Sequence, residues 1–572
     1  MALRRTAVLV SLTAAATAAL FLVSRGLWSD PLIDSGREWI VPDALSRGEL
    51  LYRDVAYWFG PFTPYAHAAF FRVFGSSFAT LAAAGCVGAA AALGALFLAL
   101  SRVAGRSQAL AWTALAVPAL VFMPNAGGAI LGMGFRIWHA ATFALLAIVV
   151  AGGASKARGS LGAGALAGLA GLCRTEWGLA ALSAAALVIV LGARKRGVAG
   201  ALAGLGAGFA LLFGAVWAFF VARVGWAGLA DQPVFLLNIP EVTRGHVGLA
   251  GLRAWRTGLW NLLYSSSVWV GIFLAIAIAA LGREDLHAFR RRVTALGAAL
   301  LVAVLSALMG AVPGPILFSA APLVCIAALV VGWRDSAALA GFGWMGLLAS
   351  HRRVFFLDDA PYVAPPLLFA FVCAAGLLAR AVARQPSPAA RARLSAAFSA
   401  SVAAFAVLAF AGRFYGYASD SSERVAIRGT AGMLSAHPDL ARRIEDTAAA
   451  IRRETPEGSG LAVFPEGELL NFLSGRPNAA RQKLYLPGYL TDANEPAVIA
   501  DLERAHPGAV VRWLRATGEY ERGLFGSDYG REVAKWIERR YSVFPPASRA
   551  QAHPELTLFL RRTPSRAEGA LH

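Results

Sequence analysis

The run FATLAAAGCVGAAAALGALFLAL, residues 78–100, carries no charged side chain. At 1.5 Å per residue a helix of that length is about 35 Å long, enough to cross the roughly 30 Å hydrocarbon layer of a bilayer. Similar runs recur at 7–24, 108–123, 137–153, 161–173, 178–192, 198–222, 264–281, 293–311, 315–332, 336–350, 363–383 and 395–412. The sequence therefore predicts a mainly α fold, a polytopic transmembrane helix bundle of about thirteen spans over residues 1–412. The segment 161–173 is short and glycine-rich, so a full span, a re-entrant turn and a broken helix all remain open for it.

Composition agrees with a membrane chain. Of 572 residues, 57% are hydrophobic and 15% charged, and the mean hydropathy is +0.57, which excludes a water-soluble multidomain enzyme. The net charge is 53 − 34 = +19. In a soluble chain that excess would suggest nucleic acid, but here the cations form short clusters between apolar runs, so a nucleic-acid partner is not expected.

Lys and Arg are retained on the cytoplasmic side of a membrane. With thirteen crossings, the clusters at Arg4-Arg5, Arg102 and Arg106, Lys156 and Arg158, Arg194 to Arg196, Arg290 to Arg292, Arg334, and Arg384 with Arg391 and Arg393 all fall inside. That places the N-terminus in the cytoplasm and the loops 25–77, 124–136, 223–263 and 351–362, with the tail, outside. The first segment also reads as a signal peptide, basic then apolar then small, and topology alone does not separate the two. Cys86, Cys173, Cys325 and Cys373 lie in or beside apolar segments, without the spacing of a metal knuckle or disulfide framework.

Residues 413–572 change to charged, proline-containing sequence and form a second domain. Gly460 to Phe464, Ala509 to Arg512 and Leu556 to Arg561 read as strands. Glu466 to Leu473, Glu495 to Ala505 and Asp528 to Arg540 read as amphipathic helices, giving a small α/β extracytoplasmic C-terminal domain.

The first outer loop, 25–77, is dense in acid, aromatic, glycine and proline residues. It carries Asp34-Ser35-Gly36-Arg37-Glu38, then Gly48-Glu49-Leu50-Leu51-Tyr52-Arg53-Asp54, then Tyr57-Trp58-Phe59-Gly60-Pro61. Asp34 follows the first span by about ten residues, where a carboxylate is costly unless paired or used.

From Asp34 to Gly75 the chain resembles the first loop of the GT-C superfamily of polytopic glycosyltransferases, in particular the bacterial branch related to protein mannosyltransferases and aminoarabinose-lipid A transferases. The tail is similar to that branch at Phe464-Pro465-Glu466-Gly467, Asn471 to Asn478 and Phe525 to Gly530. The resemblance implies a bacterial inner-membrane enzyme that moves a hexosyl or pentosyl group, with inversion, from a polyprenyl-phosphate donor to an acceptor hydroxyl on the outer face. Glycolipid, polysaccharide and protein acceptors all stay open.

Such chemistry needs a carboxylate to take the acceptor proton and cations to receive the lipid phosphate. By position and by resemblance Asp34 is the expected base, with Glu38 assisting if the segment is helical. Asp54 reads either as an alternative base or as a turn acid paired with Arg53 or Arg37. Asp43 and Glu49 read as solvated faces of an interfacial helix, and Trp58, Phe59 and Phe62 as its headgroup anchors.

Two cationic sites lie outside by parity. Arg352 and Arg353 break the positive-inside pattern, and arginine binds phosphate through a planar fork. They read as the donor-phosphate site or as partners of Asp358 and Asp359. Arg174 reads as a third phosphate contact or, with Glu176, as an internal salt bridge, although residues i and i+2 do not face each other on a continuous helix. Arg37, Glu176 and Tyr57 complete the expected substrate contacts. His67, His139 and His246 read as structural, and the sequence predicts neither a metal nor another cofactor. A secondary transporter and an envelope polysaccharide polymerase or ligase are the rival readings.

Overall fold

The computed structural model describes residues 2–33, 35–124, 127–132, 134–153, 157–192, 197–230, 320–350, 364–520, 522–545 and 556–562. The spans expected at 264–281 and 293–311, and the start of 315–332, lie outside these residues.

Among the described residues, six helices are long and apolar enough to cross a membrane: Phe78–Val103, Phe135–Gly153, Thr175–Gly192, Val198–Val224, Ala364–Ala383 and Pro388–Ser422. Shorter apolar helices, Val10–Ser24, Gly159–Cys173 and Ala337–Ala349, stand at three more of the expected positions. The chain is a polytopic helix bundle with a small sheet near its C-terminal end.

The weakly apolar segment 161–173 belongs to an unbroken helix, Ala157–Cys173. Its glycines serve close packing rather than a break. A methyl group at Gly164 would collide with the carbonyl of Leu205, and one at Gly208 with the carbonyl of Leu161. The two backbones therefore touch directly, the association mode that small residues permit in lipid.

The segment 108–123 is less regular. Helix Arg106–Ala116 gives way to one π turn, Val117–Val121, which contains Pro118. Arg413 donates through Nε to the Pro118 carbonyl at 3.1 Å and the Tyr417 hydroxyl to the Phe122 carbonyl at 3.2 Å. Backbone groups released by an irregular turn need such side-chain partners where water is absent. Both donors lie on the 35-residue helix Pro388–Ser422, which continues past position 412.

By contact the chain divides into two compact units. One lies within Met1–Ser24, Gly85–Phe219 and Leu249–Ala418, the other within Arg25–Ala84, Phe220–Gly248 and Ser419–His572. The loop 25–77 thus belongs to the same unit as the tail, a grouping that a linear division of the chain does not express.

In that second unit, four strands, β1 (Leu461–Phe464), β2 (Ala509–Trp513), β3 (Tyr541–Phe544) and β4 (Leu556–Arg561), form a sheet in the order β1-β2-β4-β3. β1 and β2 run parallel and the other two pairings are antiparallel. All four β1 residues are buried, as expected of a parallel strand covered on both faces. Phe464, Tyr485, Val510, Phe525, Val533, Ile537 and Phe559 share one core.

Helix Glu495–Ala505 has the bounds read from the sequence. The helices expected at 466–473 and 528–540 begin later, as Leu469–Ser474 and Arg531–Arg540. Strand β3 and helix Pro438–Glu454 were not among the expected elements. That helix buries Ala441, Ile444, Ala448 and Ile451, a one-faced helical stripe.

Candidate functional site

The chain approaches position 34 through a turn closed by Asp30, whose Oδ1 accepts from the amides of Leu32 at 2.8 Å and Ile33 at 2.9 Å. Aspartate makes such turns because its short side chain reaches the backbone two residues on. Asp34 itself lies outside the described residues. Helix Ser35–Ser46 starts directly after it and buries every residue from Ser35 to Leu45. Pro42 inside this helix has no amide proton for the Glu38 carbonyl.

Arg37 and Glu38 are both buried, with Nη2 and Oε1 3.6 Å apart. Two charges this far from water persist only when they are mutually compensated and hydrogen-bonded. Asp43 departs from the expected solvated face: it is buried and pairs with Arg47, which also reaches Glu49 at 3.4 Å. The physical reason is that the helix packs against the tail within the same unit. A Cβ on Gly36 would lie 2.7 Å from the Glu468 carbonyl carbon, and the Trp39 ring meets Phe472 edge-on at 5.0 Å.

The following turn is drawn tightly together. The Asp54 carboxylate accepts the Leu50 amide at 2.8 Å and pairs with Arg53 at 2.8 Å. The Arg53 hydrogen bond is the main cause holding its carboxyl below the usual range. This is the turn-acid arrangement, with Arg53 rather than Arg37 as the partner.

Tyr57, Trp58 and Phe59, with Arg37, Lys483 and Leu484 among the other walls, line a cavity of about 10 Å³, room for about one water. Trp58 meets Tyr489 of the tail edge-on at 4.5 Å, so its ring packs against protein and not only toward headgroups.

Arg174 stands between helices Ala157–Cys173 and Thr175–Gly192, and its Nε pairs with Glu176 Oε1 at 2.5 Å. The helix break at Arg174 lets i and i+2 face each other, which a continuous helix forbids. Arg352 and Arg353, with Asp358 and Asp359, lie outside the described residues.

Several buried charged groups were not among the candidates. Lys483 is buried, donates to the Ala480 carbonyl at 2.9 Å, and has its amine pulled down chiefly by burial. Glu466 is fully buried and pairs with Arg515 at 2.8 Å. Arg136 is buried in the first turn of helix Phe135–Gly153, where the helix dipole disfavours a cation. Its signal was legible, since the topology expected from the sequence puts position 136 at the edge of an outer loop, as it does Arg352 and Arg353. The tail residues carried no such signal. Among the described residues no three His, Cys, Asp or Glu side chains stand together as a metal site.

No protein-family model matches the sequence, and no curated protein matches it. Solved structures do resemble it. The crystal structure of ArnT from Cupriavidus metallidurans bound to undecaprenyl phosphate superposes with a TM-score of 0.51 at 13% identity, covering 96% of this chain and 97% of that one. The Archaeoglobus fulgidus oligosaccharyltransferase, in complex with Zn and sulfate, gives 0.50 at 15% identity over 89% of this chain and 68% of that one. With its apolar helices, its small tail sheet and its likeness to both of these structures, the chain has the fold of the GT-C membrane glycosyltransferases.

Proposed function

We propose that this protein is an integral membrane glycosyltransferase that moves a sugar from a polyprenyl-phosphate donor to an acceptor hydroxyl at the outer face of a bacterial inner membrane. The observation that carries the reading is the helix Ser35–Ser46, fully buried up to Leu45, which begins at the residue after Asp34 and holds Arg37 and Glu38 within the shared fold.

In the proposed step Asp34 takes the acceptor proton as the hydroxyl oxygen bonds to the anomeric carbon. The bond from that carbon to the lipid-phosphate oxygen breaks, and the phosphate leaves with the electron pair. A single displacement inverts the anomeric configuration. Arg352 and Arg353, with Arg174, neutralise the leaving phosphate. Glu38, buried beside Arg37, assists the base or orients the acceptor. Glu176 in turn holds Arg174. Tyr57 contributes to the wall of the acceptor side. Asp54, already committed to Arg53 and to the Leu50 amide and held ionised, is the weaker base. The acceptor belongs to the hydroxyl-bearing classes of the envelope: glycolipid, polysaccharide or protein.

The reading is tested with purified protein in liposomes supplied with a radiolabelled polyprenyl-phosphate sugar and envelope extract as acceptor. Asp34→Asn is expected to lower transfer at least about 100-fold while the protein still folds. Wild-type transfer by that variant would refute the assignment.

A further inference from the structure

The turn Leu50–Val55 contains a backbone conformation that its residue does not favour. Tyr52 has φ of 68°, the left-handed region that costs a non-glycine residue about 1–2 kcal/mol. Its ring is fully buried, so glycine could not replace it without emptying the site it fills. The conformation is held from several directions. The Tyr52 amide donates to the Val55 carbonyl at 2.8 Å, the Leu51 amide to the Tyr65 hydroxyl at 3.3 Å, and the Tyr52 hydroxyl to the Phe59 carbonyl at 2.7 Å.

The Tyr52 carbonyl is taken by a residue 429 positions away: Arg481 Nη2 donates to it at 2.7 Å. The Arg481 backbone adds a second link, its carbonyl accepting the Ala56 amide at 3.0 Å. Arg481 is itself anchored, its own amide donating to Asp501 at 2.8 Å. One guanidinium donor and the backbone carbonyl of the same residue thus fix the chain on its way into Tyr57, Trp58 and Phe59.

We infer that Arg481 is a positioning residue for transfer, through which the C-terminal domain holds the strained Tyr52 turn in the shape that presents Tyr57 to substrate. The inference rests on the proposed glycosyl transfer by the first outer loop. Displacing a substrate-positioning element by about 1 Å costs up to about 100-fold in rate, so the clamp acts on kcat.

The test uses the full-length protein. Hydrogen exchange over residues 50–59 and steady-state transfer are measured for Arg481→Ala, Arg481→Gln and Arg481→Lys, with Asp34→Asn in parallel. Arg481→Ala is expected to speed exchange of the Tyr52, Asp54 and Ala56 amides about tenfold and to lower kcat about tenfold, with donor KM changed less than twofold. Arg481→Lys, which keeps a donor within reach of the carbonyl, is expected to recover most of both losses. Arg481→Gln serves if the alanine variant does not fold, and is expected to fall between them. Unchanged exchange would overturn the clamp. Faster exchange with unchanged kcat would reduce it to a structural tie and overturn the inference. Full transfer by Asp34→Asn would instead overturn the underlying reading, whatever the exchange data show.

Discussion

Replacing Gly36 by alanine adds a single methyl group at the contact between the first-loop helix and the tail. That methyl would sit 2.7 Å from the carbonyl carbon and 2.9 Å from the Cα of Glu468. Ordinary contact for a Cβ begins near 3.4 Å, and the Leu469 backbone nitrogen lies closer still than the Glu468 carbonyl carbon, so the surfaces must separate by more than 3.4 − 2.7, about 0.7 Å, and both sides are backbone that cannot rotate away. Overpacking of this kind costs about 1–3 kcal/mol. The helix that moves carries Arg37 and Glu38 and follows Asp34 directly, so a shift approaching 1 Å is expected to lower kcat between about ten- and 100-fold. The assay is liposome transfer beside thermal unfolding in detergent, with Gly94→Ala as control, because a methyl there meets nothing within 4 Å. Wild-type kcat and an unchanged unfolding temperature for Gly36→Ala would refute the close approach and, with it, the tail's hold on the helix that follows Asp34.

Glu495 accepts the amides of Glu532 at 2.7 Å and Val533 at 2.9 Å, capping helix Arg531–Arg540 from outside it. Glu495→Ala strands two amides, one buried, and should cost about 2 kcal/mol in stability, read as a lower unfolding temperature, with Glu495→Gln retaining part of the loss. For Asp54 the sign follows from its depressed pKa. The carboxylate's contribution is complete above the ordinary value of 3.8 and is lost as pH falls through the lower folded value. Asp54→Asn should therefore lower the unfolding temperature at pH 7, and the gap from wild type should close as pH drops below about 4. A gap that does not depend on pH would point to geometry rather than charge.

Much of this fold is legible along the chain because its signals are local. Apolar runs locate most of the described helices, whereas the composition change at 413 falls inside helix Pro388–Ser422. The strands at Leu461, Ala509 and Leu556 and the helix Glu495–Ala505 follow from short-range pattern. The helix Pro438–Glu454 is legible by the same rule, through its Ala441, Ile444, Ala448 and Ile451 stripe, although the charges on its other face dilute that signal. Strand β3 was less accessible, since its exposed Ser542 and Val543 give no clean alternation.

The site divides in the same way. Sequence alone determined that the membrane part is helical, that an acid-rich aromatic loop follows the first span, and that a small α/β domain closes the chain, since each depends on residues near one another. Only the tertiary structure decided that this loop and the tail form one compact unit. Gly36 against Glu468, Trp39 on Phe472 and Arg481 on the Tyr52 carbonyl join residues more than 400 positions apart. No periodicity encodes such contacts, because they arise from complementary shape and from backbone groups that find partners only after both segments have folded.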